Sequence, residues 1–202
     1  MNRALPSLAA VALFSMPLAP TAAAGQQAAG ARPAPAVNAA DVEFMSGMIP
    51  HHAQAVLIAG WAPTHGARED VRILCERIVV AQKDEIALMQ TWLSDRGLPV
   101  PAADATHHVM KMGDMEHKML MPGMLSAEQL AQLDKARGPE FDRLFLTFMI
   151  KHHEGALTMV DTLFESYGGA QDETVFRLAS DIWADQQAEI ERMQLMLTGG
   201  GF

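Results

Sequence analysis

The stretch “FMSGMIPHHAQAV” at residues 44–56 returns 101 residues later as “FLTFMIKHHEGALTMV” at residues 145–160. Both copies set Met-Ile, one spacer and two adjacent histidines in the same order. In the first, Asp41, Met45, Met48, His52, Ala55 and Ala59 recur at steps of three and four, which traces one face of an α-helix. In the second, Asp142, Leu146, Met149, His153, Ala156 and Val160 do the same. Asn38 is placed to cap the first helix. Pro50 inside that helix removes a backbone donor and should kink it, whereas Lys151 stands at the matching place of the second copy.

Each copy is followed by a partner helix. The first is expected over residues 67–96, and its inner face reads Cys75, Ile78, Gln82, Glu85 and Met89. The second follows Gly168-Gly169 and carries Ala179, Ile182, Gln186, Glu189, Met193 and Leu197. Gln82, Glu85 and Met89 match Gln186, Glu189 and Met193 at an offset of 104. The chain is therefore expected to be all-α. Two duplicated helical hairpins, 39–97 and 139–198, joined by a crossover over 98–138, make a four-helix bundle domain over 39–198. Within the crossover, Ser126 and Gln129 form a capping box that opens a short helix.

Ahead of the domain, residues 1–24 read as a signal peptide: Arg3, an apolar run from Leu5 to Leu18, and Ala22-Ala23-Ala24 before Gly25. The apolar run is shorter than the ~20 residues a membrane span needs. Residues 25–38 are rich in Ala, Gly and Pro and read as a disordered linker. The mature chain is thus expected in the periplasm or the medium, without a membrane span. A net charge of -9 argues against nucleic acid as partner and suits the attraction of cations. Cys75 is the only cysteine, so no internal disulfide can form and stability must come from packing.

The candidate chemistry lies in three groups. The crossover stretch “HHVMKMGDMEHKMLMPGM” at 107–124 holds six Met and three His. Read as a helix, it puts His108, Met112, Met115 and Met119 on one face and Met110, Asp114, His117 and Met121 on the other. A Met stripe is ordinarily core packing, but a capping helix should be polar outside. Thioethers and imidazoles together suit Cu(I), imidazole with carboxylate suits Cu(II), and silver is another soft ion. The second and third groups are the inner faces of the hairpins. There His52 stands one turn from Met48, and His153 one turn from Met149, with Glu85, Met89, Glu189 and Met193 supplied by the partner helices. Such a set is either a metal site or a buried His–Glu network that satisfies itself. His51 and His152 are each rotated about 100° from their neighbours. They are expected to face a groove or the crossover, as ligands or as groups orienting ligands.

At these residues the chain resembles the domain of unknown function 305 (DUF305) family. The likeness runs over residues 41–197 and rests on the MI-x-HH and Q-x-x-EI-x-x-M motifs in both halves. It implies a ferritin-like helical bundle, usually exported, with a role in handling copper or other soft metals. By motif the family's histidine pairs fall on His51, His52, His152 and His153. The expected function is binding of a copper ion, Cu(I) or Cu(II), for buffering, storage or delivery, with a metal-transfer protein as a further partner and no bond-making chemistry. Two alternatives stand beside it: a ferritin-like di-metal oxidoreductase and a metal-free structural bundle. The first would call for Glu-x-x-His on two helices, a motif absent from this sequence.

Overall fold

The computed structural model describes residues 37–112 and 115–199, together with Met1. The chain divides into a unit Met1–Pro35 and a compact unit Ala36–Phe202. The expected signal peptide and residues 25–36 of the linker lie outside the described residues.

Five helices carry the compact unit: α1 (Ala39–Ala59), α2 (Glu69–Asp95), α3 (Ala127–Lys135), α4 (Pro139–Glu165) and α5 (Glu173–Thr198). Their starts follow local chemistry. Asn38 accepts from Ala40 N at 2.8 Å and Asp172 accepts from Thr174 N at 2.9 Å, each satisfying an orphan donor of the first turn. Ser126 and Gln129 close the expected capping box at α3. α1 runs as one helix through Pro50, although that residue offers no N–H to the Ser46 carbonyl.

One expectation is corrected. The Met/His stretch of the crossover is not helical: His108–Met112 (β1) and Met115–Met119 (β2) pair as an antiparallel ribbon. The register sets His108 opposite Met119, Met110 opposite His117 and Met112 opposite Met115. The grouping derived from a helical period therefore does not hold. Alternation of Met or His with Val, Lys or Glu in both strands is a two-residue period, the signature of a strand. Gly113 and Asp114 lie outside the described residues.

α1 packs on α2 and α4 packs on α5, and the hairpins meet along α1 and α4. α2 and α5 stand further apart, with a groove of about 790 Å³ between them. The apolar core falls into two clusters. One gathers Met48, Met89, Val160 and Ile182, the other Ile78, Phe145, Met149 and Met193.

The hairpins are locked together reciprocally. Asp41 of α1 is buried and accepts the Ala170 N–H, from the turn of the other hairpin, at 2.7 Å. Asp142 of α4 is buried and accepts the Arg68 N–H, ahead of α2, at 3.3 Å. Burial raises the pKa of both carboxyls, and these backbone bonds oppose the rise. Arg96 of the first hairpin also pairs with Asp172 of the second at 2.7 Å. Replacing Asp41 by Ala strands a buried N–H and should cost about 1–3 kcal/mol in denaturant unfolding. Asp41→Asn keeps an acceptor and should lose clearly less; equal losses for the two variants would show that the hydrogen bond is not what holds the turn.

Candidate metal centre

Where the two apolar clusters meet, the sequence inserts its four paired histidines. His51, His52, His152 and His153 are all fully buried. The His51 and His152 rings face each other across the α1–α4 contact, with centroids 3.9 Å apart. His52 flanks His51 at 6.2 Å and His153 flanks His152 at 6.3 Å. The adjacent pairs thus extend into one layer of four rings.

The outer nitrogens of three rings have partners. His153 Nε2 is hydrogen-bonded to Glu189 Oε2 at 2.7 Å. His52 Nε2 lies 2.7 Å from Glu85 Oε2, out of line for a hydrogen bond. His51 Nε2 lies 3.0 Å from the Pro122 carbonyl. A carbonyl only accepts, so Nε2 of His51 carries a proton, and in the neutral ring its Nδ1 keeps the lone pair. Among the described residues no Nδ1 of the four is in line for a hydrogen bond, nor is Nε2 of His52 or His152, although the His51 backbone lies close enough to the His152 ring to raise its pKa. Burial first, then the neighbouring histidines, push the His51 pKa down to about 3, against a smaller raising effect of the Pro122 carbonyl. Burial first, then His51, His153 and His52, hold His152 well below the usual histidine range, against a smaller raising effect of the His51 backbone. Both are neutral imidazoles at neutral pH, which is the form that binds metals.

Met48, Met89, Met149 and Met193 are fully buried in the clusters bordering this layer. Gln82 and Gln186 are buried with Oε1 unpartnered, and Glu85 and Glu189 keep 17% and 18% of their side chains exposed. Among the described residues no three His, Cys, Asp or Glu are placed to close around one ion. Two ring nitrogens, or a ring nitrogen and a thioether, are the donor sets this layer offers. Cys75 is buried away from it, and burial pushes its thiol pKa up, so it stays protonated. His65 is also buried, but it is spoken for by Thr64 and Asp134 and stacks on Trp61.

A strap from the crossover covers the layer. Besides the Pro122–His51 contact, Gln54 holds Leu125 through both backbone groups, at 2.7 and 3.1 Å. A Cβ on Gly155 would stand 2.0 Å from the Pro122 oxygen, and Gly123 takes a φ of +78° against the α4 backbone. The strap needs glycine at both places. Sequence reading missed Gln54, Gly123 and Gly155, whose only signal was a glycine inside a helix. Of the crossover candidates, Met119 is exposed, and His108, Met112 and Met115 lie on the ribbon preceding the strap.

The chain belongs to the DUF305 family, described as a domain of unknown function, which matches residues 41–197. A DUF305 protein of Streptomyces coelicolor, described as a candidate secreted protein, superposes with a TM-score of 0.66 at 28% identity, covering 79% of this chain and 93% of that one. A DUF305 fragment from Deinococcus radiodurans gives 0.65 at 26% identity, over 81% and 98%. CopM, solved in apo, Cu(I)-, Cu(II)- and silver-bound forms, matches with 0.61 at 30% identity in its Cu(II) form, over 79% and 96%. The uncharacterised protein L153 of Acanthamoeba polyphaga mimivirus is 31% identical over 58 residues; the chain spans 38% of its length. No helix of the described residues is long and apolar enough to cross a membrane.

The imidazole layer makes the metal-free protein acid-sensitive. A pKa near 3 in the fold, against 6.5 for an ordinary histidine, means that the unfolded chain binds the proton first. The stability this group contributes is complete above about pH 6.5 and is lost as the pH falls towards 3. Replacing His51 and His152 by Gln should flatten the slope of unfolding free energy between pH 6 and 4, by up to about 1.4 kcal/mol per pH unit for each histidine. Parallel slopes in the variant and the original protein would contradict the buried neutral state.

Proposed function

We propose that this protein is an exported soft-metal binder that takes Cu(I), or silver(I), into its imidazole layer for buffering, storage or delivery. The frame would be a ferritin-like four-helix bundle. The observation that carries the reading is the set of four fully buried rings whose Nδ1 atoms have no hydrogen-bond partner among the described residues, beside four buried thioethers. Each such polar atom left unpaired costs roughly 1–3 kcal/mol, and a soft ion offsets that cost directly. Neutral nitrogen and thioether donors are the kind that Cu(I) prefers.

The His–Glu contacts fit this role as well as a purely structural one. A ligating histidine ordinarily donates its other N–H to a carboxylate or a backbone carbonyl. Glu85, Glu189 and Pro122 occupy only the outer nitrogens. The di-metal oxidoreductase reading finds less support, since that chemistry takes four inward carboxylates and each hairpin brings one glutamate to the layer. That CopM was crystallised with copper and silver supports the choice of ion. His108, Met112, Met115 and Met119 would form a separate, outer donor set on the crossover.

Competition titration against graded Cu(I) chelators tests the proposal. The purified mature chain should retain Cu(I) against a weak chelator and melt at a higher temperature when loaded. Replacing His51 and His152 by Ala should abolish the tight site, whereas replacing Met112, Met115 and Met119 should lower the stoichiometry and leave that site in place. A chain that yields all its copper to the weak chelator would sink the reading.

A further inference from the structure

The buried layer has two possible approaches, and they differ in how they are closed. On the crossover side the strap shuts it, through the Pro122 carbonyl on His51, the paired bonds of Gln54 to Leu125 and the backbone-on-backbone contact at Gly123 and Gly155. On the other, α2 and α5 leave the groove of about 790 Å³, lined by Gln82, Glu85, Gln186 and Glu189. The two glutamates are partly exposed while the histidines they touch are fully buried. They bridge water and core.

The groove also has the charge for a cation. Asp185 lies within the fields of Glu85, Glu189 and Asp181, and Glu76 and Glu191 line the groove as well, against Arg77 and Arg192. An acidic wall alone would be a solvated surface. Gln82 and Gln186 add a second observation: each is 3% exposed, lines the groove, and holds an Oε1 without a partner. Oxygen donors therefore continue from the acidic mouth, past the amide oxygens, to the Glu–His contacts.

We infer that the groove between α2 and α5 is the entrance by which a monovalent soft cation reaches His52 and His153, with Asp185 at its mouth and the oxygens of Gln82, Gln186, Glu85 and Glu189 as successive stations. This rests on the metal-binding reading above. The strap, by this assignment, is a fixed wall and not the door.

The test is the rate of Cu(I) uptake from a weak coloured chelator, with the equilibrium affinity measured in parallel. Ala81 and Ala188 both line the groove. Replacing both by Leu should plug it, slowing uptake and release together while the affinity stays unchanged. Asp185→Lys, an exposed substitution that leaves the core untouched, should slow uptake by roughly tenfold and weaken its dependence on ionic strength. Gln54→Ala, which loosens the strap, should leave the rate unchanged. Wild-type rates in both groove variants overturn the inference, as does faster uptake in Gln54→Ala, which would move the entrance beneath the strap. Uptake by no variant and no wild-type protein overturns the metal-binding reading, and the entrance with it.

Discussion

Everything in this fold accommodates one expensive choice: four imidazoles buried in a single layer. Desolvation keeps the central pair neutral and leaves their nitrogens dependent on partners brought to them. The apolar core is correspondingly split into two clusters. A tilted ring pair with centroids 3.9 Å apart requires α1 and α4 to run close together. That contact is where the two hairpins join. The outer nitrogens then reach outward to Glu85, Glu189 and the strap, so the layer also determines where the carboxylates and the crossover must sit.

The duplication explains how such a layer can be built at all. Two hairpins of similar sequence supply matching halves, and each hairpin's first-turn aspartate holds a turn of the other. The symmetry is incomplete. Only His51 has the strap carbonyl, which fixes its tautomer; its counterpart His152 lies instead against the His51 backbone.

Much of this was legible from the residues. The 3.6-residue period through Met48, His52 and Glu85 located the hairpins and the His–Glu contacts, because buried polar groups on an inner face can only be satisfied by one another. The capping residues Asn38 and Ser126 were equally plain. The ribbon was not. His108, Met112, Met115 and Met119 are spaced by four, three and four, which suits a helix, yet the same residues also fall in register across a hairpin. Met on both faces of the supposed helix was the warning. Nor could spacing reveal that His51 and His152 meet. Neighbours rotated by about 100° look divergent on one helix, and only the second helix brings His51 and His152 together at the centre of the layer. Nor does the sequence say why Gly155 stands inside α4; the Pro122 oxygen packed against it is the reason.

If the layer holds an ion as proposed, burial would discriminate by charge. The cost of moving an ion from water into a poorly polarisable interior grows with the square of its charge, so a divalent ion meets a penalty about four times that of a monovalent one. The donors on offer are neutral: ring nitrogens and thioethers supply no compensating charge. Among the described residues the carboxylates in contact with the rings are Glu85 and Glu189, which sit beyond the rings and are partly exposed to water. Their attraction for a bound cation would grow only in proportion to its charge, whereas the desolvation cost grows with the square. On the proposed reading, a site of soft donors in a buried layer with its counter-charges one ring away would therefore cost a divalent ion more than Cu(I) or silver(I).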